Sequence, residues 1–203
     1  MTARLVVLIS GTGSNMLALV AACERGEVPG RVAAVVADRP CDGVEAAREA
    51  GTETVVLEPG DFASRDEWSG ALKDAVESLQ PDLVVSAGFM RILAPVFVDA
   101  FAGRLINLHP SLLPSFPGAH AVRDTLDFGA RVTGSTVHFI DNEVDHGPIV
   151  AQAAVEISPG VSESELHERI KAVEHQLLPE ACKLVIEGSA RLDGGRVVFS
   201  GSS

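Results

Sequence analysis

Leu5-Val6-Val7-Leu8-Ile9, followed directly by Ser10-Gly11-Thr12-Gly13-Ser14-Asn15, is the stretch on which the fold turns. Five apolar residues in a row are too few for a stable helix and carry no polar face. Such a run closed by turn residues reads as a strand buried on both sides. The glycines then predict a tight turn, and a helix begins near Met16. Working outward, residues 31–37 and 54–57 form further short strand patterns, the stretch 43–50 between them is helix-like, and 68–79 reads as a longer amphipathic helix. Two more apolar runs, 82–87 and 104–108, are separated by residues 89–101. Strands that alternate with helices in this way build a largely parallel sheet covered on both faces.

The second half changes character. Residues 131–140 alternate and are rich in Val and Thr, and 148–157 repeat that habit after Asp145-His146-Gly147, which predicts an antiparallel pair. Ser162 with Glu165 three residues on fits a capping box. From there Leu166, Ile170, Val173, Leu177, Ala181 and Leu184 keep helical spacing until about Gly188. Leu192 and Val197 flank Asp193-Gly194-Gly195, a small terminal hairpin signal. The expectation is an α/β fold: a Rossmann-like, mostly parallel central sheet with helices on both faces and antiparallel strands added in the C-terminal half. No linker divides residues 1–203, so one domain is expected.

Composition bounds the function. With 203 residues, 46% of them hydrophobic, the chain can bury one substantial core. A net charge of −12 opposes the counterion-release attraction on which nucleic-acid binding depends, so no nucleic-acid partner is expected. An acidic protein can still hold a small phosphorylated ligand, because helix N-terminal amides supply local positive potential. Three widely spaced cysteines, Cys23, Cys41 and Cys182, give no disulfide or zinc pattern and suit a reducing compartment. The first apolar run is too short for a signal peptide or a membrane span, so no membrane association and a cytoplasmic location are expected.

Three constellations carry chemical meaning. Gly11-Thr12-Gly13-Ser14-Asn15 sits at a strand-to-helix junction, where the backbone can approach an anion and free N–H groups point at it, so a phosphate fits. A plain glycine-rich turn and a dinucleotide site are the rivals there. The third glycine of that fingerprint falls on Met16, although Asp38, at the end of the second strand, stands where a ribose-binding acid belongs. Asn107 and His109 are two apart at the end of a buried strand and point to the same side. An amide and an imidazole aimed at one point can stabilise a developing oxyanion, although a strand-end cap and a core histidine are the bland alternative. Asp145 lies in a turn, where aspartate usually serves local hydrogen bonding. Folded back over His109, it can hold an imidazole protonated and accept protons. His120, His138, His146, His167 and His175 show no ligand spacing, so no metal is expected.

With those segments in order, together with Ala87-Gly88-Phe89-Met90-Arg91-Ile92-Leu93, Asn107-Leu108-His109-Pro110-Ser111-Leu112-Leu113-Pro114 and Asp145-His146-Gly147-Pro148, the chain resembles the phosphoribosylglycinamide formyltransferase family, folate-dependent enzymes of purine synthesis. The likeness runs from the first strand to the long C-terminal helix. It implies the formyltransferase fold, with residues 1–103 as a phosphate-binding half and 104–203 as a catalytic and folate-site half. It also implies a direct transfer from 10-formyltetrahydrofolate, as co-substrate and without metal, to phosphoribosylglycinamide. Asn107, His109 and Asp145 would be the catalytic trio, and Gly13, Ser14 and Asn15 would hold the phosphate. Lys171 and Glu174 would face the amine substrate. Arg65, Met90, Arg91, Ile92, Leu93, Asn107, Asp141, Asn142, Glu143 and Val144 would line the folate site.

Thr136 or His138, on the alternating strand, is a further candidate to contribute to the chemistry, although packing against a helix is the bland and favoured reading of each. Methionyl-transfer-RNA formyltransferase and formyltetrahydrofolate deformylase are the rival enzymes of the superfamily, and each is expected to need an additional domain that this chain has no room for. A folate- or nucleotide-binding module needs no convergence of Asn107, His109 and Asp145. Partners are expected to be small molecules, with the chain a monomer or homodimer.

Overall fold

The strand that opens the chain lies inside the molecule. In the structure, a computed structural model that describes residues 2–200, β1 (Ala3–Ile9) has β2 (Gly30–Ala37) and β3 (Glu53–Val56) on one side. On the other side come β4 (Leu83–Ser86), β5 (Leu105–His109), β6 (Val132–Phe139) and β7 (Ile149–Glu156), which completes a seven-stranded sheet ordered β3-β2-β1-β4-β5-β6-β7. The first five strands run parallel, and β6 and β7 are antiparallel to their neighbours. The expected α/β sheet with an antiparallel extension is what forms.

The unbroken apolar run in β1 has a physical reason: its two faces serve two different cores. Leu5, Val7 and Ile9 pack with Met16, Leu19 and Ala22 of α1 (Ser14–Glu24) and with Leu178 and Cys182 of α6 (Glu163–Ile186). Val6 and Leu8 pack instead with Trp68, Leu72 and Val76 of α3 (Arg65–Ser78) and with Phe97 of α4 (Pro95–Ala100). All five residues of the run are fully buried, each worth about 1.5–3 kcal/mol of burial. A single polar substitution here would leave an unpaired group in one core or the other.

The expected helices form, with shifted starts. α1 begins at Ser14 rather than near Met16, because Gly13 takes a left-handed conformation (φ 73°) and its carbonyl accepts from Leu17 N–H at 2.9 Å. α2 spans Asp42–Glu49, and α3 starts three residues before Trp68 because the Ser64 side chain caps the Glu67 N–H. The capping box of Ser162 and Glu165 is present at the head of α6. Neither α4 nor α5 (Ala121–Phe128) stands out in the sequence. α4 has only six residues, and α5 follows the Pro- and Gly-containing stretch 110–118, which reads as loop, without a capping side chain at its start. A two-stranded hairpin, β8 (Ala190–Asp193) and β9 (Arg196–Phe199), closes the described chain.

β2 leaves β1 on one side and β4 lies on the other, so the connections diverge between β1 and β4. Ligands of open α/β sheets bind at such a point, beyond the carboxyl ends of the strands. The segments after β1, β4 and β5 all open there.

Candidate active site

A cavity of about 560 Å³ occupies that edge. One end is built by Gly11–Asn15, the turn from β1 into α1. The approach of α2 forces small residues here: a Cβ on Gly13 would lie 2.9 Å from the Gly43 Cα, and one on Gly43 would lie 2.7 Å from the Gly11 carbonyl oxygen. The first amide groups of α1 have no helical acceptor, so the turn itself offers donors although it contains no basic residue. Glu174 of α6 closes it from the side. The carboxylate, 5% exposed, accepts from Asn15 Nδ2 at 2.8 Å and from Ser135 Oγ at 3.2 Å. Lys171, one helical turn earlier, also lines the cavity and pairs with Glu168 at 2.6 Å.

The middle of the cavity holds the charged and hydrogen-bonding groups. Asn107 and His109 come from β5, two residues apart on one side of the strand as expected. The turn between β6 and β7 folds back and sets the Asp145 Oδ2 atom 3.5 Å from His109 Nδ1. Two features shape that turn. Asp145 adopts a positive φ of 52°, which aspartate tolerates better than most residues, and Gly147 passes so close to Phe139 that a Cβ would fall 1.8 Å from its carbonyl oxygen. Gly118 N–H donates to Asp145 Oδ2 at 2.7 Å. The remaining imidazole nitrogen, His109 Nε2, donates to the Phe116 carbonyl at 3.0 Å, so both ring nitrogens face oxygen acceptors.

His138, absent from the expected catalytic set, belongs to this cluster. It is the cross-strand partner of Asn107 in the β5–β6 register. Its Nδ1–H donates to the Phe139 carbonyl at 2.9 Å, which leaves Nε2 as a lone-pair acceptor for Asn107 Nδ2 at 3.2 Å. Burial pushes its pKa below the ordinary histidine value despite the Phe139 carbonyl and the Asp145 charge, so the ring is neutral. Its Nε2 lies 3.8 Å from Asp145 Oδ1. The carboxylate is therefore flanked by two imidazoles in different environments. The sequence signal for His138 is its strand register, legible only once the antiparallel partner is known.

The far wall is the segment after β4, including Met90, Arg91, Ile92 and Leu93, together with Asp141, Asn142, Glu143 and Val144 of the returning turn. Of the residues that the resemblance implied, Arg65 is the one that stands outside this cavity. As the first residue of α3 it lies behind the 90–92 segment, where its Nη2 donates to the Ile92 carbonyl at 3.0 Å. There it lines an adjoining depression of about 510 Å³ together with Trp68 and Phe62. Asp38 is not free to bind a ribose: Arg39 and Arg91 hold its carboxylate at 2.9 and 2.7 Å. Among the described residues no cluster of three or more His, Cys, Asp or Glu could hold a metal ion, and no helix is long and apolar enough to cross a membrane.

Such an arrangement can take an anion at one end, an extended partly apolar molecule at the other, and stabilise charge between them. A sequence profile described as formyl transferase matches residues 3–182, and the chain belongs to that family. Its relatives narrow the class. The chain is 51% identical to a phosphoribosylglycinamide formyltransferase of Mycobacterium tuberculosis (strain CDC 1551 / Oshkosh) over 88% of its own length and 83% of the relative's. With the enzyme of that name from Escherichia coli (strain K12) it shares 41% identity over 96% and 95% of the two chains. The crystal structure of glycinamide ribonucleotide transformylase 1 from Symbiobacterium toebii superposes with a TM-score of 0.96 at 42% identity, over 98% of this chain and 95% of that one.

Proposed function

We propose that this chain is an enzyme of purine synthesis that transfers the formyl group of 10-formyltetrahydrofolate to the amine of 5'-phosphoribosylglycinamide. The observation that carries the reading is the convergence of Asn107, His109 and Asp145 in the middle of one cavity, between the amide-lined Gly11–Asn15 turn and the apolar 90–93 segment. The phosphate belongs at that turn, held by the backbone of Gly13, Ser14 and Asn15 and by the α1 dipole. Glu174 and Lys171 stand beside the ribose and the glycinamide. The folate lies along Met90–Leu93 and residues 141–144, with its formyl carbon opposite Asn107 and His109.

The neutral amine attacks the formyl carbon. A carbon–nitrogen bond forms and the carbonyl electrons move onto oxygen, which gives a tetrahedral oxyanion. The Asn107 amide donates to that oxygen, and so does the His109 imidazolium from Nδ1. At 3.5 Å from Asp145 that nitrogen is not committed to a short hydrogen bond, while Nε2 stays on the Phe116 carbonyl. His138 fixes the Asn107 amide with its NH₂ toward the centre of the cavity, because the neutral Nε2 can only accept. Asp145 compensates the imidazolium and takes the proton that the attacking nitrogen loses. The carbonyl then re-forms, the bond to the folate nitrogen breaks, and that nitrogen receives the proton. Tetrahydrofolate and the formylated amide are the products.

The test is formyl transfer from 10-formyltetrahydrofolate to glycinamide ribonucleotide by the wild type, His109→Ala and Asp145→Asn, with folding checked by circular dichroism. Wild-type transfer that falls by about 10²–10³ in each variant, the effect of losing one oxyanion donor, is the expected result. No transfer by the folded wild type, or release of formate without the amine, overturns the reading.

A further inference from the structure

Asp38 is a buried carboxylate that the reaction as described does not use. It directly follows β2, is 1% exposed, and takes no part in the cavity wall. A carboxylate removed from water is costly unless its oxygens are bonded. Here Arg39 reaches the two oxygens at 3.2 and 2.9 Å and Arg91 Nε reaches Oδ2 at 2.7 Å, with the Ser10 hydroxyl beside the same group. Arg39 is its chain neighbour and connects to nothing further in the site. The other two partners lead to the cavity. Ser10 Oγ accepts the Met90 N–H at 2.8 Å, and Arg91 is itself part of the wall.

The segment needs such fastening. Met90 and Ile92 are 66% and 63% exposed, so burial contributes little to holding them in place. We propose that Asp38 is a positioning residue: through the Arg91 guanidinium, and alongside the Ser10 hydroxyl that takes the Met90 N–H, its buried carboxylate fastens residues 90–93 to the ends of β1 and β2, and so sets the affinity of the cavity for its folate. This rests on the reading that the 90–93 segment faces the folate. The ends of the two strands thereby anchor the exposed middle of the wall, whereas Leu93 and the preceding Phe89 pack against the core, Phe89 beside Trp68.

The experiment uses the full chain with Asp38→Asn, Ser10→Ala, the double variant and Arg39→Ala as a control. Two quantities are measured: amide hydrogen exchange of the peptide spanning 89–93 without ligand, and the KM for 10-formyltetrahydrofolate beside that for glycinamide ribonucleotide. Asp38→Asn is expected to speed exchange in that peptide and to raise the folate KM about tenfold, the scale of one charge-assisted hydrogen bond, with kcat and the other KM unchanged. Ser10→Ala should act in the same direction, the double variant should fall short of the product of the two single effects, and Arg39→Ala should change neither quantity. Unchanged exchange in a folded Asp38→Asn, or faster exchange with an unchanged folate KM, overturns the proposal in an enzyme that is otherwise active. If Asp38→Asn does not fold, Ser10→Ala decides by the same criteria. A wild type that turns over no folate overturns the functional reading and the affinity claim together, and the exchange data then speak only to the anchor.

Discussion

Asn15 and Glu174, 159 positions apart in the chain, meet at 2.8 Å, with the Asn15 side-chain amide donating to the carboxylate. The bond joins the first turn of α1, where the leading backbone amides have no helical acceptor, to the middle of α6. The same carboxylate takes the Ser135 hydroxyl, so one buried group ties two helices and a strand around the amide-lined end of the cavity.

Replacing Glu174 by Ala leaves the Asn15 amide without its acceptor, whereas the Ser135 hydroxyl still donates to the His109 carbonyl at 2.9 Å. An unsatisfied group of this kind costs about 1–3 kcal/mol. The expected outcome is a lower unfolding free energy and a raised KM for glycinamide ribonucleotide, with the folate KM unchanged. Glu174→Gln keeps one acceptor and should fall between the two. Urea titration and steady-state kinetics check both.

Gly13→Ala brings a Cβ to 2.9 Å from the Gly43 backbone and holds an alanine at a φ of 73°. The left-handed conformation alone costs about 1–2 kcal/mol for a residue with a Cβ. The turn has to shift, so the KM for the phosphorylated substrate should rise more than that for folate. Equal changes in both, with normal stability, would count against a phosphate at this turn.

Gly147→Ala puts a methyl group where the Phe139 carbonyl oxygen stands, 1.8 Å away. No side-chain rotation relieves a clash with backbone, so the turn carrying Asp145 must move away from His109. Overpacking of this type costs about 1–3 kcal/mol. The measurable result is a fall in kcat that exceeds any change in either KM, together with a lower thermal midpoint.

His138 predicts a pH dependence. Burial lowers its pKa in the folded chain, whereas the unfolded chain titrates near about 6.5. Below that pH the unfolded state binds a proton that the folded state resists. The stability contribution is therefore complete above about pH 6.5 and is lost as pH falls toward the depressed folded value, by no more than about 1.4 kcal/mol per pH unit. His138→Asn should flatten this part of the profile between neutral and mildly acidic buffer. Nitrogen-15 spectra of the wild type should show Nδ1 protonated and Nε2 bare at pH 7.

How much was legible follows from the range of each interaction. The two-faced burial of β1, the Gly13 turn, the capping box of α6 and the antiparallel pair are set by neighbours a few positions apart, and the sequence contains them as pattern. α5 was not legible because the Pro- and Gly-containing stretch 110–118 before it reads as loop and no capping side chain marks its start. The placement of Asn107 and His109 on one side of β5 needed only the alternation of a strand.

The sequence by itself determined an α/β sheet, the position of its ligand-binding edge and the placement of the Gly11–Asn15 turn, Asn107 and His109 there, because periodicity and turn chemistry are local. Only the tertiary structure decided that Asp145 faces His109, that His138 pairs with Asn107 rather than with a helix, that Arg65 stands behind the cavity wall, and that Asp38 is held by two guanidinium groups. Each of these depends on strand register and on the path of a returning loop. Those are fixed by the packing of the whole chain and leave no periodic trace along it.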